Sequence, residues 1–417
     1  MHLQPSFGKG RAVGKAVIDN MFVPGDDARI PVIAVTGTNG KTTTVRLIAN
    51  ILDKNNMCVG MTCTDGAYVD NQYIDTGDCS GPKSARNILF HPDVDAAVLE
   101  TARGGLLREG LGFDRCHVAV VTNIGMGDHL GQAYVFTAEE LAVVKRVIVQ
   151  NVTPVTGSAV LNAADPLVAS MAEHCPGSVI FFALDASNPM LAMHRAQGKR
   201  VVYLDNNCVV ALGAEGEYRI PVRDIPLTKN GMISFQIENV MAAIGASWAL
   251  GLDWEVIRAG LISFVSDVNT APGRFNLFSF RNATLIADYG HNPDAMQALV
   301  CAIENMPAKR RSVVISAAGD RRDEDIRQQT RILGDAFDEV VLYQDQCQRG
   351  RADGEVLNLL REGLGNAKRT SKVSEIFGEF IAIDTALSSL QDGELCLILV
   401  DQVEKSLGHI NNRVSAG

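Results

Sequence analysis

A glycine-rich turn between an apolar run and a helical segment constrains this chain more than any other feature. The turn has the sequence Thr36-Gly37-Thr38-Asn39-Gly40-Lys41-Thr42-Thr43 and contains the G-x-x-G-K-[ST] core of a phosphate-binding loop. Residues 31–35 predict a buried strand, and Thr43–Lys54 predicts a helix. Backbone N–H groups at such a helix start, together with the helix dipole, favour bound phosphate. The chain is therefore predicted to bind ATP and to use its terminal phosphate.

Lys41 and Thr42 occupy the motif positions that carry chemistry. The Lys41 ammonium is expected to reach the terminal phosphates, and the Thr42 hydroxyl is expected to hold Mg²⁺. The alternative, a glycine turn that happens to precede a lysine, would have to explain the strand, the spacing and the helix together. The residues of this loop predicted to bind the nucleotide are Gly37, Thr38, Asn39, Gly40, Lys41, Thr42 and Thr43.

Length, charge and cysteine content narrow the class of protein. A chain of 417 residues predicts two or three domains. The formal net charge of -10 argues against nucleic acid or an anionic membrane as a partner. The nine cysteines form no C-x-x-C pair, so reduced thiols in a cytoplasmic protein are expected. No apolar run approaches the ~18–20 residues of a membrane span, so no membrane partner is expected.

Apolar strands alternate with helices in two stretches of the chain, a pattern that predicts an α/β fold with two parallel, doubly wound sheets. Residues 268–274 have linker composition and separate the two stretches. We expect a lead-in segment over residues 1–30, a first unit over residues 31–268 and a second unit over residues 272–417.

Individual elements follow from local patterns. Residues 139–150 and 238–251 predict helices, and residues 198–235 predict an antiparallel edge with short β runs. In the second unit a helix is expected to begin at Pro293, with Asn292 as its cap.

Several polar residues follow predicted strands, where ligands collect in parallel sheets. Glu100 ends the predicted strand Asp95–Glu100 and could hold magnesium, although a solvated strand-end acid explains it equally well. His129 could be a second metal ligand, with Asp128 orienting its ring, but a lone histidine is more often structural. Lys145 lies on a predicted helix, and composition alone favours an exposed lysine with its charge in water.

The predicted joint and the second unit add further candidates. Arg274 at the hinge could contact phosphate, or could be an ordinary linker arginine. Asp288 at a strand end could accept hydrogen bonds from a ribose. The charged run 319–325 could bind a zwitterionic amino acid, or could be a solvated loop and helix cap.

Eight motifs run in one order through essentially the whole chain. Together they resemble the Mur ligase superfamily, and within it most nearly the Mur-ligase-like half of the cyanophycin synthetase branch. The motifs are Thr36-Gly37-Thr38-Asn39-Gly40-Lys41-Thr42-Thr43-Thr44, Gly77-Asp78-Cys79-Ser80-Gly81-Pro82-Lys83-Ser84-Ala85, Glu100-Thr101-Ala102-Arg103-Gly104-Gly105, Leu107-Arg108-Glu109-Gly110-Leu111-Gly112-Phe113, Asp128-His129-Leu130-Gly131, Ala271-Pro272-Gly273-Arg274-Phe275, Asp288-Tyr289-Gly290-His291-Asn292-Pro293 and Gly319-Asp320-Arg321-Arg322-Asp323-Glu324-Asp325.

The resemblance implies a P-loop Mur ligase central domain with a parallel sheet, followed by a C-terminal Rossmann-like domain. It implies that Thr42 and Glu100 hold one magnesium ion and that His129 holds the second. Lys145 matches a lysine that many Mur-type ligases carbamylate, and Asn239 matches an asparagine near the adenine.

In the second unit, the resemblance implies that Arg274 serves as the phosphate or hinge arginine and Asp288 as the ribose aspartate. His291 and Asn292 are implied to lie at the interdomain cleft. The residues then expected to serve catalysis are Lys41, His129, Lys145 and Arg274.

The implied activity is an ATP-dependent acid–amino acid ligase that forms an amide bond through an acyl phosphate. The branch implies that arginine, or another free amino acid, is added to the side-chain carboxylate of an aspartyl peptide or of a small acid. The candidate substrate-binding residues are Ser80, Lys83, Arg103, His291, Asn292, Arg322, Asp323 and Glu324.

Members of the cyanophycin branch carry an ATP-grasp ligase half ahead of the Mur-ligase-like half. Residues 1–6 resemble the junction of the two halves, so the aspartate-adding activity is expected to be absent from this polypeptide. A separate ATP-grasp ligase or a second copy of the chain is then a candidate partner, and a natural protein or a fragment fits equally.

Three other functions stay open at this point. One is a different peptide ligase that acts on a small acidic metabolite. Another is a P-loop regulatory ATPase without ligase chemistry. The third is a non-catalytic partner subunit in which the nucleotide is structural.

Overall fold

The computed structural model describes residues 28–125, 130–344 and 348–416. The predicted lead-in segment 1–30 lies almost wholly outside this part, and so do Asp128 and His129. Within the described residues there are two β-sheets, one formed by residues 32–221 and the other by residues 276–399. Each sheet carries helices on both faces, which confirms the predicted α/β class.

The first sheet has eleven strands within the described residues. They are β1 Val32–Thr36, β2 Val59–Cys63, β3 Gly66–Val69, β4 Gln72–Thr76, β5 Ala96–Glu100, β6 Val118–Val121, β7 Ser158–Asn162, β8 Ser178–Asp185, β9 Val201–Asp205, β10 Cys208–Gly213 and β11 Gly216–Pro221. Their spatial order is β11-β10-β9-β8-β7-β6-β1-β5-β2-β3-β4. The strands from β9 to β2 run parallel, whereas β10–β11 and β3–β4 add antiparallel edges.

All five residues of β1 are buried, as expected for a strand in a parallel sheet covered on both faces. The covering helices are α1 Lys41–Asp53, α2 Pro82–Leu89, α3 Arg103–Glu109, α4 Ala138–Lys145, α5 Val147–Gln150, α6 Pro166–Ala169, α7 Pro189–Ala196, α8 Ser234–Ala249 and α9 Trp254–Ser263. Short 3-10 turns lie at Ser170–His174, Val222–Asp224 and Pro226–Thr228. One apolar core joins α1, α8 and α9 to the sheet, and α8 is buried almost all round.

The second sheet contains six strands in the described part of the chain. They are β12 Asn276–Phe280, β13 Ala283–Asp288, β14 Arg311–Ile315, β15 Glu339–Gln344, β16 Lys372–Phe377 and β17 Leu395–Leu399. Their order is β12-β13-β17-β14-β15-β16, and only β12 runs antiparallel. The helices are α10 Pro293–Glu304, α11 Asp323–Ala336, α12 Glu355–Gly363, α13 Glu379–Ser389 and α14 Val403–Ala416, with a 3-10 turn at Leu364–Asn366.

The predicted start of α10 is confirmed in detail. The Asn292 side chain accepts a hydrogen bond of 2.8 Å from the Ala295 backbone N–H, and Pro293 occupies the first turn. The stretch between α9 and β12 joins the two sheets and contains residues 268–274, which have linker composition. The exact limits 31–268 and 272–417 stay a prediction.

Several local expectations were wrong. The helix predicted over residues 139–150 is two helices, α4 and α5, that meet at Arg146. Helix α8 begins at Ser234 rather than at residue 238, so the β character predicted for residues 198–235 ends with β11. Strands β2–β4 were not predicted, and in β4 all five residues are exposed, so this strand has no buried face.

Candidate functional site

The phosphate-binding loop has the backbone shape that its glycines permit. Gly37 has a φ of 145°, and Gly40, the cap of α1, has a φ of 84°. A Cβ added to Gly37 would lie 1.9 Å from Thr122 Oγ1, and one added to Gly40 would lie 2.3 Å from Asn239 Oδ1. Larger side chains are therefore excluded, and the loop can present its backbone N–H groups at the start of α1.

Hydrogen bonds from the end of β6 hold this loop in place. The Asn39 backbone N–H donates to Asn123 Oδ1 over 2.9 Å, and Thr122 Oγ1 donates to the Asn39 carbonyl over 2.6 Å. The Gly125 N–H donates to Thr38 Oγ1 over 2.8 Å. Lys41 Nζ lies against the Thr38 carbonyl at 2.9 Å, which curls the lysine over the loop. The loop is thus preorganised by a neighbouring strand end.

Three oxygen-bearing side chains, those of Thr42, Thr64 and Glu100, lie close together at the start of α1. The Thr42 hydroxyl donates to Glu100 Oε2 over 2.8 Å, and the Thr64 hydroxyl donates to Glu100 Oε1 over 2.8 Å. Glu100 is buried at the carboxyl end of β5. Hard oxygen donors next to a phosphate loop are the ligands that Mg²⁺ prefers, so the residues present fit this ion. The part of the chain that the structure describes contains no group of three or more His, Cys, Asp and Glu side chains that could hold a metal.

The structure contradicts the exposed placement that composition favoured for Lys145. Its side chain is fully buried, and Nζ donates to the Gly37 carbonyl over 2.7 Å. Helix α4 therefore places the Lys145 amine against the back of the phosphate-binding loop. A buried amine requires polar partners, so Lys145 packs on this loop rather than on the solvated surface.

The hinge and the second unit bring two further groups to the same place. Arg274 Nη2 lies 3.4 Å from Thr42 Oγ1 and 3.3 Å from Asp65 Oδ1. Asp288, at the end of β13, accepts a hydrogen bond of 2.8 Å from the Phe275 backbone N–H. Burial raises the pKa of Asp288 to about 6, although the charge of Arg274 and the hydrogen bond oppose this shift.

A cleft of about 990 Å³, counting its open mouth, lies between the two units. It is lined by Thr38, Asn39, Gly40, Lys41, Thr42, Thr43, Thr64, Glu100, Thr122, Asn123, Phe182, Phe235, Gln236, Glu238, Asn239, Arg274, Asp288, Tyr289, Gly290, His291, Ala295, Ala298 and Leu299. One part of this wall is apolar, with Phe235 and Leu299 beside the polar side chains of Glu238 and Asn239. A cleft that combines a phosphate-binding loop with an apolar part suits a nucleotide.

Asn239 and Glu238 mark that apolar part of the cleft. Asn239 Nδ2 donates to Gln236 Oε1 over 2.9 Å, and Asn239 Oδ1 accepts from Thr44 Oγ1 over 3.4 Å. Burial raises the pKa of Glu238, while a hydrogen bond with Asn162 opposes the shift. Glu238 was not among the residues that the sequence singled out.

Asn292 and His291 lie where the two units meet. Asn292 Nδ2 donates to Asn39 Oδ1 over 2.9 Å, which ties α10 to the phosphate-binding loop. The His291 ring contacts the Tyr289 carbonyl through Nδ1 at 2.9 Å and lines the cleft. Both residues therefore lie at the boundary between the units.

The residues considered for the acid substrate are not among those that line this cleft. Ser80 is buried and its hydroxyl donates to Asp78 Oδ1 over 2.5 Å, whereas Lys83 at the start of α2 is exposed. Arg103 is buried at the start of α3 and donates to the Gln132 carbonyl.

The residues considered for the amino acid take part in ion pairs within the second unit. Arg322, the N-cap residue of α11, forms an ion pair of 2.7 Å with Asp325 in the first turn of that helix. Asp323 pairs with Arg351 at 2.7 Å. The third, Glu324, pairs with Arg331 at 3.3 Å and is exposed. These contacts favour the helix-cap alternative for this run of charges.

A second cavity of about 530 Å³ adjoins the cleft at Tyr289, Gly290 and His291. Arg349 lines it and lies 3.3 Å from Asp320 and 3.7 Å from Asp401. Sequence reasoning missed both Arg349 and Asp401. The signal was present, because both follow strands of a parallel sheet, β15 and β17, at the ends where ligands collect.

Two family models match the chain. The Mur ligase middle domain matches residues 35–247, and the Mur ligase glutamate ligase domain matches residues 273–399. These two matches follow the two sheets. The chain belongs to the Mur ligase family.

Individual relatives refine this assignment. The chain is 40% identical over 421 residues to a cyanophycin synthetase of Synechocystis sp., a match that covers 100% of this chain and 48% of that protein. It is 41% identical over 409 residues to the cyanophycin synthetase of Geminocystis herdmanii, covering 98% of this chain and 46% of that protein. The chain thus spans about half the length of these curated relatives, which agrees with the resemblance to one half of that branch.

Solved structures show the same fold at low sequence identity. FolC of E. coli in complex with DHPP and ADP has a TM-score of 0.68 at 20% identity, covering 93% of this chain and 89% of that one. A pseudomurein peptide ligase type C from Methanothermus fervidus has a TM-score of 0.65 at 18% identity, covering 93% and 80%. No helix in the described residues is long and apolar enough to span a bilayer.

Proposed function

We propose that this chain is an ATP-dependent ligase that joins a carboxylate to the amino group of an amino acid. The single observation that carries the proposal is the cleft in which the phosphate-binding loop of one unit faces Arg274 and Asp288 of the other. Membership of the Mur ligase family and the 40% identity to a cyanophycin synthetase support the ligase class.

In this proposal the loop residues 37–43 bind the phosphates of ATP. The adenine lies towards Asn239 and the apolar wall, and the Asp288 carboxylate accepts hydrogen bonds from the ribose. Thr42 and Glu100 would hold Mg²⁺, whose charge, when the ion is bound, offsets that of the phosphates. His129, and Lys145 if it is carbamylated to a carboxylate, stay candidates for support of a second ion.

The reaction would proceed in two steps. A carboxylate oxygen of the acid attacks the terminal phosphorus, forming an acyl phosphate as the bond to ADP breaks. Lys41 and Arg274 offset the negative charge that spreads over the transferred phosphoryl group. The neutral amine then attacks the acyl carbon, and inorganic phosphate leaves with the bonding electrons while the amine proton passes to water or to a nearby base.

The amine is proposed to enter through the second cavity. Arg349 supplies a guanidinium for the carboxylate of an amino acid, and Asp401, which also lines the cavity, supplies a carboxylate for a cationic group. A cationic amino acid such as arginine is complementary to this arrangement. Because the cavity adjoins the cleft at His291, its occupant would lie next to the reacting acyl group.

The acid is proposed to be an aspartyl peptide that approaches along the face carrying Ser80, Lys83 and Arg103. The exposed ammonium of Lys83 would attract an acidic chain. Arg322, Asp323 and Glu324 would then act by shaping the start of α11, near the loop that carries Asp320. A separate ATP-grasp ligase or a second copy of this chain is the proposed macromolecular partner.

The test combines Mg²⁺, ATP, an aspartyl peptide and each of the twenty amino acids, with release of ADP and phosphate and product mass as readouts. We expect turnover only when acid and amine are both present, with arginine the best amine. Lys41→Ala should lower the rate roughly a hundredfold or more. Lys309→Ala, which removes an exposed lysine paired with Asp392, is the matched control and should not change it.

Other outcomes would decide between the alternatives. ATP hydrolysis that needs neither substrate and gives no amide would favour a regulatory ATPase. No turnover with any combination would favour a non-catalytic partner subunit. Amide formation with lysine or glutamate but not with arginine would reject the proposed amine and keep the ligase class.

A further inference from the structure

Asp65 lies in the turn between β2 and β3 and contacts two arginines at once. Its Oδ1 is 3.3 Å from Arg274 Nη2, and its Oδ2 is 3.3 Å from Arg46 Nη2. The side chains are largely buried, with exposed fractions of 12% for Asp65, 7% for Arg46 and 16% for Arg274. Low exposure limits screening by solvent, so these pairs are stronger than surface ion pairs.

Arg46 is the firmly held member of this group. It projects from α1, and its Nη1 donates to the Thr270 carbonyl over 3.1 Å. Its Nη2 also donates to the Tyr68 hydroxyl over 2.9 Å, and its guanidinium lies 5.0 Å from the centre of the Tyr68 ring. Arg46 is therefore held by two groups, Thr270 and Tyr68, that do not line the cleft.

Arg274 is held much more loosely. Its three hydrogen bonds, to Asp65, to Thr42 Oγ1 and to the Gly273 carbonyl, measure 3.3, 3.4 and 3.3 Å. Asp65 lies 3.3 Å from each arginine, but Arg46 has two shorter hydrogen bonds elsewhere, to Thr270 and to Tyr68, and Arg274 has none below 3.3 Å. Its guanidinium rests 5.5 Å from the centre of the Tyr289 ring, a contact that tolerates sliding. Arg274 is thus placed to change partner.

We propose that Asp65 is a positioning residue that holds Arg274 beside the phosphate site and exchanges it with the terminal phosphate of the nucleotide. The proposal rests on the proposed function, because it requires a nucleotide in the cleft. A triphosphate outcompetes one carboxylate for a guanidinium because it carries more charge and can bind bidentately. Once the terminal phosphate has left as product, Asp65 recaptures Arg274.

Arg46 explains why this exchange is inexpensive. A buried carboxylate that lost its only cation would be strongly destabilised. Asp65 keeps Arg46 when Arg274 moves, so the Asp65 carboxylate is not left without a cation. Arg46 also donates a hydrogen bond to the backbone carbonyl of Thr270. Thr270 belongs to the same linker as Arg274, so both arginines are connected to this linker.

The test compares Asp65→Asn with the unchanged protein. Without the competing carboxylate, Arg274 should remain on the phosphates that ADP retains after the terminal phosphate has left. The Kd for ADP should therefore fall roughly three- to tenfold, with slower ADP release. Steady-state kcat should fall by a larger factor than the rate of the first turnover, because product release is slower. Asp65→Glu, which keeps the charge, should release ADP close to the normal rate.

Two controls separate this exchange from a structural role. Asp75→Asn removes the same charge from an exposed position on the neighbouring strand β4 and should change none of these quantities. In the double variant Asp65→Asn with Arg274→Ala, the gain in ADP affinity should disappear, since the two side chains act as a unit.

The outcomes are distinct. If Asp65→Asn weakens ADP binding, or slows the first turnover as much as the steady state, the exchange is rejected and Asp65 is an ordinary structural ion pair. If Asp65→Asn unfolds, ADP release from Asp65→Glu is the deciding measurement. The exchange predicts a nearly normal release rate for that variant, whereas a purely structural ion pair predicts weaker ADP binding. Failure of the unchanged protein to make any amide would reject the ligase proposal, whereas the ADP measurements would still judge Asp65.

Discussion

Asp288 shows how one residue in the cleft couples ionisation to function. Its carboxyl lies at the end of β13 and lines the cleft, and burial raises its pKa to about 6 in spite of the nearby Arg274. A carboxyl with a raised pKa binds its proton more tightly in the folded than in the unfolded protein. The free energy of unfolding should therefore gain from Asp288 as the pH falls from about 7 towards 4.

The prediction at the residue scale concerns Asp288→Asn. At pH 8 the nucleotide-free variant should be more stable than the unchanged protein by about 1–2 kcal/mol, because a buried charge is gone. This difference should shrink towards pH 5. Urea unfolding at both pH values measures it.

Nucleotide binding provides the complementary measurement. If the Asp288 carboxylate accepts hydrogen bonds from the ribose, ADP affinity of the unchanged protein should fall below pH 6. The affinity of Asp288→Asn should be low and nearly constant over the same range. Equal pH profiles in the two proteins would contradict the assigned role.

At the scale of elements, the match between prediction and structure depends on how each element is stabilised. The loop from β1 to α1 and the start of α10 were predicted because their glycines, caps and prolines act within a few residues of the chain. The break between α4 and α5 at Arg146 was missed, since the apolar spacing continues across it. Lys145 was misplaced for a related reason: the pattern does not show that α4 packs behind the phosphate-binding loop.

Helix α7 contains one histidine, His194, whose buried side chain should make the stability of the fold depend on pH. His194 packs against Phe181 with ring centres 4.6 Å apart, and burial lowers the pKa of His194, with Lys199 acting in the same direction. The unfolded chain therefore takes up the proton first, near its ordinary value of about 6.5, and the fold loses stability as the pH falls through this range.

The expected outcome is a difference in slope. Between pH 7.5 and 5.5 the free energy of unfolding should fall less steeply for His194→Gln than for the unchanged protein. Chemical denaturation at several pH values measures both slopes. His174→Gln, at a more exposed position, is the control and should keep the normal slope. Identical slopes for all three proteins would remove His194 as a source of acid sensitivity.

At the scale of the whole molecule, contacts across the cleft decide whether a site exists. Asn39 and Asn292 are 253 positions apart in the chain, and their side-chain amides exchange two hydrogen bonds between the two units, of 2.9 and 3.3 Å. Asn292 also caps α10, so removal of its side chain would mix two effects. A variant that keeps the cap is needed to separate them.

The prediction is that Asn292→Asp retains the cap and the acceptor for Asn39 Nδ2, and loses only the donor to Asn39 Oδ1. Its thermal stability should stay close to normal, whereas ligase turnover should fall several-fold because the second unit is held less well against the loop. Asn292→Ala should lose about 1 kcal/mol in addition. Thermal unfolding and phosphate release measure the two effects, and full activity in Asn292→Asp would show that this contact is dispensable.

The sequence by itself determined the phosphate-binding loop, the alternation of strands and helices and the cap of α10, because each depends on residues that are neighbours in the chain. Only the tertiary structure decided that Lys145 is buried, that Arg349 and Asp401 line a second cavity, and that Asp65 lies between Arg46 and Arg274. These residues come from segments that are distant in the chain. Local sequence preferences do not determine the distances between their side chains in the folded protein. They meet because the ends of parallel strands in two sheets open onto adjoining cavities.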